Sequence, residues 1–290
     1  MTEPETDPSR LAEMAERLRP LARPLPRAKP GDWLAEHPES GQTYDEYIRS
    51  SPNRPTDRRK AMYVLPVGEL SGAERSLVEA TVLLLGIFYN LPVTLLRPVS
   101  VRSFPASARR KNPNDGRTQL LTSHILKLSR TLSPPDAAAT LALTAVDLWP
   151  GQNWNFVFGQ ASYQDRVGVW SFARFGDAKT EFDLCLRRTL KTAVHETGHI
   201  FGIRHCTAYL CGMNGSNHLE EADSQPMGFC PVDERKVWWC CRADPVGRAD
   251  RLVKFAVDWG LEDEAREWRR SLEALKGAAP SAKPRSTHDP

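Results

Sequence analysis

The stretch HETGHIFGIRH, from His195 to His205, holds three imidazoles, one carboxylate and one glycine at spacings that zinc chemistry uses. His195 and His199 are four residues apart, so on a helix they project from one face a single turn apart and can reach one metal ion. Glu196 lies beside them, where it can handle a proton. Gly202 permits the left-handed geometry in which a helix stops and turns, which lets the chain deliver His205 as a third ligand. Three neutral histidines leave the fourth tetrahedral position open for water, the arrangement of a catalytic rather than a structural zinc. A bare His-Glu-x-x-His arises by composition in on the order of one chain in a hundred, and the added glycine and third histidine lower that roughly a thousandfold. The competing reading, a solvated helix with incidental histidines, is therefore the weaker one.

The rest of the chain must fold so as to hold this stretch. Its 290 residues allow one large domain or two small ones, and 40% hydrophobic with 26% charged residues is the composition of a globular protein. A net charge of +3 singles out no acidic partner. Two short basic clusters, Arg17, Arg19, Arg23, Arg27 and Lys29, then Arg109, Arg110 and Lys111, read as solvated loop or arm, so no nucleic-acid partner is expected. The N-terminus carries acids and lacks an apolar core, unlike a secretory signal. Residues 80–96, broken by Asn90 and Pro92, read as a buried helix and a strand rather than a membrane span. The expected setting is cytoplasmic, with no membrane partner and a monomeric chain. The six cysteines are then better suited to metal than to disulfides.

Residues 1–58 are proline-rich and read as a partly disordered extension, with a short helix near Leu11 to Leu18 and Trp33, Leu34, Tyr44 and Tyr47 available to wrap the domain. The main domain is expected over 59–276, with an upper part to 202 and a lower part over 203–276, followed by a disordered tail over 277–290. Ala61 to Val67 reads as a buried strand, Ser71 or Ala73 to Tyr89 as a helix, and 92–101 as a second strand. A polar loop over 102–116 precedes an amphipathic helix over 118–132 and a short helix from Pro134 to Thr140. Strands are expected over 141–149, 155–161 and 167–175, and a helix from Asp183 carries Leu186, Leu190, Ala193 and Val194 as its core stripe. Two short helices parted at Gly260 fill 245–276. This order predicts an α+β fold.

His205 is followed at once by Cys206, then Cys211, Met213 and Cys230. With the histidine motif, this pattern resembles the archaemetzincin (archaelysin) family of zinc metalloproteases, in the metzincin clan. The resemblance extends through YVLPVGEL, TAVDLW, NFVFGQA and VGVWSFARF into the C-terminal helices, about residues 61–275. It implies a metzincin-like α+β fold: a twisted mixed sheet packed on helices, an active-site helix, then a cysteine-rich zinc-binding and helical C-terminal part. It also implies hydrolysis of peptide or protein substrates. By resemblance His195, His199 and His205 match the catalytic zinc ligands, Glu196 the general base, and Met213 the methionine of the Met-turn. Cys206, Cys211 and Cys230 match three of four cysteines that hold a second, structural zinc, and the fourth position falls at Asp233.

A carboxylate oxygen is a permitted zinc ligand. Asp233 completing the site, Cys240 or Cys241 swinging in, and an empty second site all remain open, a retained site being favoured. For Cys240 and Cys241, packing beside Trp238 and Trp239 is preferred over ligation, and Cys185 reads as a core thiol. His124 and His218 lack ligand spacing to the cluster. The resemblance also nominates 155–161 as the edge strand that pairs with extended substrate, a plain core strand being the rival. Tyr209 is read as packing the turn rather than helping an oxyanion. A peptidase is expected, with a zinc-bound, non-proteolytic peptide-binding protein as the alternative.

Overall fold

A computed structural model describes residues 7–277, so the tail expected over 277–290 lies, beyond Gly277, outside the described residues. In chain order the helices are α1 (Pro8–Leu18), α2 (Trp33–Glu36), α3 (Tyr44–Arg49), α4 (Gly72–Phe88), α5 (Thr122–Leu132), α6 (Phe182–Ile200), α7 (Leu219–Ser224), α8 (Pro231–Cys241), α9 (Pro245–Asp258) and α10 (Glu262–Leu275). The strands are β1 (Ala61–Val67), β2 (Val93–Leu95), β3 (Arg109–Lys111), β4 (Thr118–Leu121), β5 (Ala137–Thr144), β6 (Asp147–Trp149), β7 (Gly159–Ser162) and β8 (Val167–Ser171). The fold is α+β. Five strands form a mixed sheet in the order β2-β1-β5-β8-β7, and three more form a small sheet in the order β3-β4-β6.

The central strands are apolar because they are covered on both faces, as parallel strands must be. Every residue of β5 and β8 is buried. α4 and α6 pack on one face, and α5 covers the other. Ser71 and Glu74 close a reciprocal capping box at the start of α4, which fixes where that helix begins. The antiparallel β7 pairs only with β8 within its sheet and leaves the other side of that edge strand toward the cleft.

Several local expectations give way to tertiary pairing. Thr118 to Leu121 joins β3 and β6 as a strand instead of opening the helix that follows, since Gln119 and Leu120 align with Asp147 and Leu148. The alanine run expected to be helical from Pro134 is the start of β5, held in register by Met62 opposite Ala139 and Val167 opposite Thr140. Alanine favours helix in isolation, but two flanking strands override a weak local preference. The single strand expected over 141–149 is divided between the two sheets. The strand expected over 92–101 shortens to Val93–Leu95, and those expected over 155–161 and 167–175 are realised as Gly159–Ser162 and Val167–Ser171.

Where the sequence reads as a partly disordered extension, residues 7–58 follow a defined course. Leu11, Ala15 and Leu18 of α1 are buried with Trp238, Ala249, Leu272 and Leu275. Tyr44 and Tyr47 are buried, and the Tyr47 hydroxyl donates to the Phe201 carbonyl at 2.9 Å. Trp33 and Leu34 are half-buried. Among the described residues, no helix is long and apolar enough to cross a membrane.

Candidate metal centres

α6 carries the histidine pair. Its buried stripe runs through Cys185, Leu186, Leu190, Ala193 and Val194 against the sheet, while His195 and His199 lie on the adjoining, half-buried face. The helix ends because Gly202 takes a φ of 83° and Ile203 N donates back to the Gly198 carbonyl at 2.9 Å. The chain then reverses and brings His205 to the other two rings, with ring centroids 5.3 Å from His195 and 4.9 Å from His199.

The proton inventory of these rings decides what they can hold. His195 Nδ1 faces the Gly212 carbonyl at 2.9 Å, and His199 Nδ1 faces the Ile203 carbonyl at 2.8 Å. His205 Nδ1 faces the Glu39 carboxylate at 2.9 and 3.1 Å. Carbonyl and carboxylate oxygens only accept, so each Nδ1 carries a proton, and in a neutral ring Nε2 is then the bare lone pair. His195 Nε2 and His199 Nε2 stand 3.0 Å apart with no proton between them. Two nitrogens at zinc-ligand distance on a tetrahedral ion are about 3.3 Å apart. Burial, and after it the neighbouring rings, holds His195 well below the usual histidine range and His199 down at about 4, so both are neutral. Three ring nitrogens converging in this way suit a cation, and this donor set fits one.

Glu196 is buried beside them, and burial pushes its carboxyl up to about 8. A cation held by the adjacent rings would draw it down again. A β-carbon on Gly159 would stand 2.4 Å from Glu196 Oε1, so the carboxyl lies directly against the backbone of β7. The cleft here is about 430 Å³ and is lined by β7, Phe156, Phe158, Trp154 and the three histidines. Met213 Sδ occupies the space where a β-carbon on Gly198 would stand, beneath the histidine turn of α6.

A second group lies one residue further along. Donor atoms of Cys206, Cys211, Cys230 and Asp233 all fall within 4.8 Å of one another. Cys211 Sγ accepts from Met213 N at 3.4 Å and Cys230 N at 3.1 Å, contacts suited to a thiolate. Asp233 is buried with one oxygen turned to Cys211 Sγ at 3.2 Å and the other on Lys236 Nζ at 2.7 Å. Burial raises the Cys211 thiol far above its usual value, while hydrogen bonds from Cys211 and Cys230 lower Cys206. A cation would allow all three to ionise together, so this donor set also fits one metal.

Of the rival fourth ligands, Cys240 directs its thiol to the Asn53 carbonyl at 3.3 Å, and both Cys240 and Cys241 are buried in the core. Tyr209 is outside the cleft lining, and its backbone bridges Pro24. His218 sits with Asp32 and Glu221, where it caps α7 and joins it to the arm. His124 packs on Phe104.

Sequence reasoning missed Glu39, Lys236 and Gly159. The Asp-x-x-Lys spacing was the only signal for Lys236; nothing local could mark Glu39, which is 166 residues from its partner.

Residues 136–237 match the family model described as peptidase family M54. The chain is 36% identical over 270 residues to archaemetzincin-2 of Pongo abelii and likewise to that of Homo sapiens, covering 81% of this chain and 74% of each relative. Among solved structures, the archaemetzincin of Methanopyrus kandleri superposes with a TM-score of 0.54 at 26% identity, over 65% of this chain and 99% of that one.

Proposed function

Since the chain belongs to the archaemetzincin family of metallopeptidases, we propose that His195, His199 and His205 hold a catalytic zinc and that Glu196 is its general base in peptide-bond hydrolysis. The observation that carries this reading is the convergence of three imidazoles beside one buried carboxyl, at the floor of an open cleft. Bound there, zinc supplies Lewis acidity toward a water and toward the peptide carbonyl. Glu196 accepts the proton of the attacking water and returns it to the leaving amine. The open edge of β7 pairs with the main chain of an extended peptide, which places the scissile bond beside Glu196 because Gly159 leaves the carboxyl room against the strand. Main-chain pairing of this kind tolerates varied side chains.

The second group holds a structural zinc through Cys206, Cys211, Cys230 and Asp233, with Met213 supporting the catalytic turn. Four donors close that site, so it offers no position for substrate. Thiols kept as metal ligands suit a reducing, cytoplasmic setting.

The test is digestion of a peptide library by wild type and Glu196→Ala side by side. The variant is expected to keep its zinc and to lose on the order of 10²–10⁴ in hydrolysis rate. Equal hydrolysis by the two proteins would overturn the assignment of the base.

A further inference from the structure

We propose that the N-terminal arm completes the catalytic site, with Glu39 acting as a positioning residue that orients His205. This rests on the reading of the three histidines as zinc ligands. The rings do not share one kind of outer partner. His195 and His199 are fixed by backbone carbonyls of the domain itself, Gly212 and Ile203. His205 alone is held by a side chain, and that side chain comes from the arm.

The asymmetry has a structural cause. His195 and His199 inherit their direction from α6, whereas His205 lies beyond the end of the helix, on irregular chain. A ligand without a helical backbone to aim it needs its ring fixed by an outer hydrogen bond, and a carboxylate also makes the imidazole a better donor.

Glu39 is itself held from both sides. The Trp33 indole Nε1 donates to Glu39 Oε1 at 3.0 Å, and the Trp33 ring meets His205 edge-on at 5.1 Å. Trp33 is in turn fixed through its backbone N–H, which donates to the Glu221 carboxylate at 2.9 Å. On the other side, Gln42 accepts from Arg204 N at 3.2 Å and donates to the Gly202 carbonyl at 3.3 Å. The Gln42 carbonyl also accepts from Lys236 Nζ at 2.7 Å, the same ammonium that holds Asp233. Residues 33–42 thus form a strap pinned at both ends, with the Glu39 carboxylate aimed at a ligand ring.

The experiment measures zinc affinity on the full-length chain by chelator competition, resolving the two ions, with cobalt(II) absorption reporting the geometry of the histidine site. Glu39→Ala is expected to weaken zinc at the histidine site by about 10–100-fold and to alter the cobalt spectrum. The cysteine-site ion and thermal unfolding should stay near wild type. Glu39→Gln keeps an acceptor oxygen without the charge and should weaken zinc less. Unchanged affinity in Glu39→Ala, or equal weakening at both sites, would overturn the proposal. His195→Ala separates the two levels of inference. If it removes no zinc from the protein, the metal reading itself fails. If zinc depends on His195 but not on Glu39, only the role of the arm falls.

Discussion

The two donor clusters share one short segment yet are built for opposite ends. The histidine cluster has three imidazoles, a cleft of about 430 Å³ before it and a buried acid at its side. The cysteine cluster has four donors, three of them buried below a tenth exposure, and it lines no part of that cleft. They are wired together through Cys211 to Met213. Cys211 supplies a sulfur to one, the Gly212 carbonyl orients His195 of the other, and Met213 sits under the helix turn. His205 and Cys206 are likewise neighbours in sequence, and Cys206 N donates to the Met213 carbonyl at 2.8 Å. The backbone that carries the cysteine donors is the same backbone that orients His195.

The largest contrast should come from removing one ligand of each. Cys211→Ser is expected to lower the unfolding temperature sharply and to cost both ions, because binding free energy at a structural site is folding free energy. His195→Ala should cost one ion and the activity, with unfolding nearly unchanged. Calorimetry with elemental analysis checks both, and a stable, active Cys211→Ser protein would abolish the distinction.

A smaller effect concerns the aspartate in the closed site. Asp233→Cys alone restores a better zinc ligand but leaves the Lys236 ammonium buried without its carboxylate. Breaking a buried pair in this way costs about 3–5 kcal/mol. The single variant should therefore be less stable than wild type, and Asp233→Cys with Lys236→Met should recover much of that loss. Chemical denaturation of the three proteins reads it out; a single variant as stable as wild type would show that Lys236 is not coupled to the ligand.

The smallest change is at the open site. Gly159→Ala places a methyl 2.4 Å from Glu196 Oε1. Peptide turnover should fall by about tenfold or more, the effect of misplacing a catalytic group by a fraction of an ångström. Zinc content and unfolding should hold. An unaltered rate would mean that the carboxyl can work from another position.

Much of this contrast could be read from the chain. The i, i+4 histidines, the glycine that ends their helix and the cysteine spacing are local patterns, and local patterns survive translation into structure because helix geometry is fixed. The strands that failed did so where neighbours decide. Thr118 to Leu121 and the alanines of β5 have weak preferences of their own, and pairing partners far along the chain set their state. The arm shows the same limit: proline and mixed charge suggested disorder, but Tyr44, Tyr47 and the apolar face of α1 found buried surface to cover.

By itself the sequence determined the order of the histidines and cysteines, the helix that carries two of the histidines and the α+β class, since the helix and the class follow from spacing or periodicity. Only the tertiary structure decided which acceptor each imidazole faces, that an Asp233 oxygen lies among the three sulfurs, that Lys236 shares its carboxylate, and that Glu39 reaches His205. The last of these joins residues 166 positions apart. No local rule encodes the long-range contacts, because they exist only once the sheet, α6 and the arm have been packed together.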